Sequence, residues 1–173
     1  MIVYLIILRL IHVVASLGWA GGSAIVFLFI EPTAKALEPA GMEFLQYMVK
    51  KRRFSLFMVV CSTLTVLSGA LLFVQDASGQ WLTWMKTGPG LGFTLGSIAG
   101  VAVYLVGMFG VNPRAMKISK IGAQIQASGG PPSPEQAAEL QKLDKEMTTL
   151  SMIDFWLVLL SLALMGTARY WIF

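Results

Sequence analysis

The sequence predicts an all-α, polytopic membrane protein: a four-transmembrane-helix bundle with a helical hairpin projecting between the third and fourth helices. Three observations predict it. First, 56% of the 173 residues are hydrophobic and only 13% are charged, whereas a soluble domain carries about a quarter charged residues. Second, the apolar residues fall in four runs, each at or above the roughly 20 residues that cross a bilayer at 1.5 Å rise per residue. Third, these runs are continuous and not alternating, which selects helices over a closed barrel. Those are the two architectures that satisfy every backbone group in hydrocarbon.

The first run covers residues 2–30 and is long enough to tilt or to project from the membrane. It lacks a basic n-region and exceeds the length of a signal-peptide core, so it is expected to stay as the first span. The second run, 54–74, places Met58, Ser62, Thr65 and Gly69 on one face. The single cysteine, Cys61, lies in this run as a small packing residue and excludes a disulfide framework within the chain. In the third run, 90–111, Gly92, Gly96 and Gly100 continue a four-residue spacing begun at Gly88. That ridge suits close helix contact, within the chain or between protomers, so a homo-oligomer or larger membrane complex is an expected partner. No strand precedes these glycines, so they are not a nucleotide-binding loop. The fourth run covers 150–173, and residues 1–173 read as one membrane domain.

The loops set the orientation. Lys35, Lys50, Lys51, Arg52 and Arg53 lie between the first two runs, and Arg114, Lys117, Lys120, Lys142 and Lys145 between the last two. The middle loop holds only Lys86. The positive-inside bias places both termini outside a bacterial inner membrane and the two basic loops in the cytoplasm. The net charge of +4 thus follows from topology, and no nucleic-acid partner is expected. Trp81, Trp84, Tyr170 and Trp171 fall where the outer aromatic belt belongs.

Both basic loops carry helical patterns. Met42, Leu45, Met48 and Val49 form a stripe that fits either an interfacial helix on an anionic leaflet or a short connector with orienting charges. The hairpin, about 113–148, carries Ile118, Ile121 and Ile125 on one arm and Leu140, Leu143 and Met147 on the other, with "SGGPPSP" as the breaker. Ser133, Pro134 and Gln136 supply an N-cap, a first-turn proline and a capping-box partner.

The polar residues inside the spans are the candidate site. Arg9, His12, Ser16, Trp19 and Ser23 share one face of the first helix, and Asp154, Ser161, Met165 and Arg169 share one face of the fourth. Such residues point into the bundle, a water-filled cavity or a partner. His12, the only histidine, and Met165 would sit at similar depths, with Arg9 and Arg169 each one turn further out. An imidazole and a thioether on haem iron, with two guanidiniums on the propionates, would use this set. The alternative is structural: His12 bonding across helices to Ser62, Thr65 or Ser97 while both arginines snorkel. Asp154 suits a cap or salt-bridge partner at a helix start. Copper or small-solute transport is a further alternative, although the ten methionines form no Met-x-x-Met relay. No Ser/His/Asp set, metalloprotease motif, P-loop or paired intramembrane carboxylate appears, so no enzyme activity is assigned from residue types.

"LRLIHVVASLGWAGG" resembles the first span of the copper-resistance protein D and HemJ-type membrane proteins, in which a histidine precedes a tryptophan and glycines by about two turns. Here those residues are His12, Trp19, Gly21 and Gly22. "NPRAMKISKIGAQIQASGGPPSPEQ" and "LMGTARYW" are similar to segments of an uncharacterised branch of small four-span proteins. HemJ-type proteins are protoporphyrinogen oxidases that bind haem b, so the resemblance implies haem b on His12. The chain lacks the further charged intramembrane residues expected of that enzyme, so the resemblance carries the scaffold and the cofactor more than the oxidase activity. A non-catalytic accessory subunit of a larger membrane complex is the expectation from a different class.

Overall fold

The computed structural model describes residues 2–173. Four helices are long and apolar enough to cross a membrane: α1 (Ile2–Ala36), α3 (Phe54–Ala77), α4 (Gly88–Ser128) and α5 (Pro134–Tyr170). The shorter α2 (Ala40–Lys50) lies between the first two. No strand occurs among the described residues. The chain is an all-α bundle, as its apolar runs predict.

The helices pack as two sequential antiparallel pairs, α1 with α3 and α4 with α5, joined through α3–α4 and α1–α5 contacts. Small residues allow the close approach. A Cβ on Gly92 would lie 2.8 Å from Cβ of Ala168, and one on Gly96 would lie 2.6 Å from Cγ of Met165. One turn beyond Met165, Ser161 donates to the Gly96 carbonyl at 2.9 Å. The glycine ridge is therefore covered within the chain by α5. On the other pair, a Cβ on Gly18 would lie 2.9 Å from Sγ of Cys61. Trp19, Val103 and Val158 form the buried centre where the pairs meet.

The termini lie at one end of the bundle, where Gly88 abuts Trp171 and Trp84 packs on Phe73 with ring centroids 4.8 Å apart. α4 begins at Gly88, two residues before the expected boundary, because Thr87 caps it by accepting from the Gly90 N–H at 3.1 Å. α5 ends at Tyr170, so Trp171 to Phe173 lie beyond the helix that the apolar pattern extends to them.

At the opposite end α4 and α5 project as the expected hairpin. Gly129, with φ 66°, ends α4. Ser133 Oγ accepts from the Gln136 N–H at 3.2 Å while Gln136 Oε1 accepts from the Ser133 N–H at 3.0 Å, the reciprocal cap read from sequence. The hairpin arms are tied by Arg114–Glu146 at 2.6 Å and by Lys117–Glu139.

Two features escape the apolar pattern. Val26–Ile30 of α1 and Val106–Val111 of α4 are π-helical turns. Each ends two residues before a proline, Pro32 or Pro113. A proline lacks the N–H that would bond four residues back and its ring crowds that carbonyl, here Leu28 or Phe109, so the helix widens just upstream.

Candidate functional site

The polar face of α1 divides among several partners. His12 Nδ1 lies 2.9 Å from the Thr65 carbonyl oxygen and 3.2 Å from Ser68 Oγ on α3. A carbonyl only accepts, so Nδ1 carries a proton and donates, and in the neutral ring Nε2 then keeps its lone pair. Gly69 leaves room for the ring, since a Cβ there would lie 2.9 Å from Cε1 of His12. Ser16 turns back to donate to the His12 carbonyl at 2.6 Å. Trp19 enters the core, and Ser23 lines the same cavity as Asp154 of α5.

The other candidates for a haem site lie apart from this ring. Arg9 extends to Asp76 at the end of α3, 3.9 Å away, with both side chains at least a third exposed, an arrangement of small energetic consequence. Met165 rests on Gly96 of α4, and Arg169 is exposed. A haem asks a histidine ligand for a neutral ring with a free Nε2, and His12 meets that requirement. Met165 is directed at α4 while His12 is directed at α3, so the expected second ligand does not share His12's contacts. No group of three or more His, Cys, Asp or Glu side chains suited to a metal ion occurs among the described residues.

A different constellation forms at the hairpin end. A cavity of about 890 Å³ runs between all five helices and reaches Trp19, Ser62 and Asp154. None of His12, Arg9, Met165 and Arg169 lines it. The stretch of α5 from Ala137 to Asp154 that borders it is about 25 Å long at 1.5 Å per residue, so the cavity is elongated. The expected α2 stripe is its wall: Met42, Leu45, Met48 and Val49 all face inward, while Phe44 and Tyr47 are exposed. Hairpin residues Ile118, Ile125, Leu140 and Met147 also line it, with Ile121 and Leu143 buried beside it.

The lining is apolar and methionine-rich. Met42, Met48, Met58, Met108 and Met147 come from four helices to this one space. Flexible, polarizable thioethers adapt to varied shapes. Both π-helical turns contribute, Val26 and Phe27 from one and Gly107, Met108 and Val111 from the other. Gly107 brings the α4 backbone close to Asp154, since a Cβ there would lie 3.7 Å from Oδ1.

Asp154 is not the helix-start cap or salt-bridge partner expected of it. It lies well inside α5, only 7% exposed, and among the described residues no cationic side chain is within ion-pair distance. Midway along the cavity Lys35 is held by Glu31 at 3.1 Å and Asp144 at 2.9 Å. Ser119, 5% exposed, lines the cavity with a hydroxyl that has no hydrogen-bond partner. Sequence reasoning missed the cavity because its walls come from segments far apart in the chain. The signals were present singly: the α2 stripe, the two prolines and an aspartate within an apolar run.

Comparison with family models, with curated proteins and with solved structures finds no match to this chain.

Proposed function

We propose that the chain is a multi-pass membrane protein that binds an elongated, largely apolar ligand in the hairpin-end cavity. The observation that carries this reading is the cavity of about 890 Å³, within the size range of small-molecule sites, with a lining surface that is mostly apolar. The basic residues flanking the cavity, Lys50 to Arg53 and Arg114 to Lys120, support a bacterial inner membrane with the cavity on the cytoplasmic side and both termini outside. The test is equilibrium binding of an apolar fluorescent probe, phenylnaphthylamine, to the protein in lipid nanodiscs beside Ala115→Trp. Ala115 lines the cavity, and an indole there fills it. Saturable binding that Ala115→Trp weakens at least about tenfold is expected. Binding no greater than to empty discs overturns the reading.

A second reading is favoured by the His12 ring alone. Its Nδ1–H···O=C bond to Thr65 presents Nε2 as a metal ligand, an orientation typical of histidines whose other nitrogen binds iron. We propose haem b on His12 as that reading, in which haem would supply one-electron chemistry and His12 would hold it. A reducible Soret band in the purified protein, lost in His12→Ala, is its expected signature. A colourless protein from haem-supplied cells overturns it and leaves the cavity reading untouched.

A further inference from the structure

The charges around the cavity are unbalanced. Glu31, Glu38, Asp144 and Asp154 line it, against Lys35 as the cation. Lys35 is committed to Glu31 and Asp144, so it does not answer Asp154. The Asp154 carboxyl is left with the Gly107 backbone close by and with Ser23 and Ser62 as uncharged polar neighbours in the cavity lining. A buried carboxylate without a cation is costly, and a ligand that brings one recovers that cost. The aromatic groups are placed to assist. Trp19 and Ser23 are four residues apart on one face of α1, and Trp19 lines the same cavity as Asp154. An indole is the strongest aromatic partner for a cation.

We propose that the cavity is selective for an elongated lipophilic cation, with its charged head on Asp154 beside Trp19 and its apolar body along the methionine wall. This rests on the reading of the cavity as a ligand site and adds the ligand's chemical class. Length follows from the same geometry. Ser119 lies about 18 Å from Gly107 along α4, and a ligand reaching that far with a polar tail supplies the partner its buried hydroxyl lacks. A neutral lipid tail would satisfy the wall but neither Asp154 nor Ser119.

The experiment is calorimetric binding of two probes, naphthylhexylammonium and naphthylhexanol, to the full chain in phosphatidylcholine nanodiscs, with empty discs as baseline. The probes share a body and differ in the charged head. The ammonium is expected to bind at least about tenfold tighter than the alcohol. Asp154→Asn is expected to bring the ammonium down to the alcohol's affinity while leaving the alcohol unchanged, and Asp154→Glu is expected to keep the preference. Equal affinity of the two probes in the parent protein overturns the cation selectivity and leaves the cavity reading standing. Binding of neither overturns both. An ammonium preference that survives in Asp154→Asn overturns the assignment to Asp154. The ratio in the parent protein decides the selectivity even where Asp154→Asn fails to fold.

Discussion

His12 of α1 is fastened to Thr65 of α3 by a 2.9 Å bond from ring to backbone carbonyl, and Gly69 is the residue whose missing side chain leaves the ring its place. The contact joins the two helices at a polar point in an otherwise apolar interface. In hydrocarbon, interhelical hydrogen bonds of this kind contribute about 1 kcal/mol or less each, and close packing contributes the remainder.

Gly69→Val therefore tests the seating of the ring. The added side chain enters the space of Cε1 and forces the imidazole off Thr65. Destabilisation of about 1–3 kcal/mol is expected, as for overpacking of a close interface. A thermal midpoint in detergent equal to that of the parent protein would show that the ring relocates without cost.

Gly92→Leu tests the ridge between α4 and α5. A Cβ at Gly92 already meets backbone, the Ala168 Cα, at 2.9 Å, so no side chain can swing aside to admit it. Lower stability and a loosened α4–α5 pair are expected, again by about 1–3 kcal/mol. The check is the thermal midpoint together with faster amide exchange on both helices. Loss of oligomers with unchanged monomer stability would instead place the ridge between protomers.

Pro113→Ala tests whether the widened turn shapes the cavity. Restoring the missing N–H lets Val106–Val111 revert to regular α-helix, which moves Gly107, Met108 and Val111 relative to Asp154. An interior proline is costly to a helix, so thermal stability is expected to hold or rise while affinity for phenylnaphthylamine falls. Such a trade of stability against function is common where a strained turn shapes a site. Unchanged affinity would remove the π turn from the site.

Glu139→Gln tests the hairpin, which projects beyond the apolar part of α5. The hydrogen bond from Lys117 and its charge hold the Glu139 carboxyl below the ordinary glutamate value. A carboxyl so shifted adds stability above its unfolded pKa of about 4.3, and that stability is lost as pH falls through the lower folded value. The gap in thermal midpoint between the parent protein and Glu139→Gln is expected to be small but present at neutral pH, because the pair is exposed, and to close below about pH 4. A gap that persists in acid would assign the effect to packing.

Local features were legible in the residues because each depends on neighbours in the chain. The apolar runs gave the four long helices, and Ser133 with Gln136 gave the start of α5, since a capping box is completed within four residues. The α2 stripe had helical spacing but read equally as an interfacial helix or a short connector, and what it faces was not legible. Lipid and protein interior are both apolar, so a row such as Met42, Leu45, Met48 and Val49 carries no mark of which one it meets. Asp154 shows the same limit: a single aspartate reads alike as a cap, an ion-pair partner or a site until its surroundings are assembled.

The sequence by itself thus determined the four long apolar helices and the hairpin, because backbone satisfaction in hydrocarbon leaves few other ways to arrange those runs. Only the tertiary structure decided that His12 serves α3, that Met165 serves α4, and that five scattered methionines meet around one space reaching Asp154. Those facts depend on the rotation of each helix about its axis. That rotation is set by where glycines let backbones approach and where prolines widen a turn, which are contacts between distant parts of the chain.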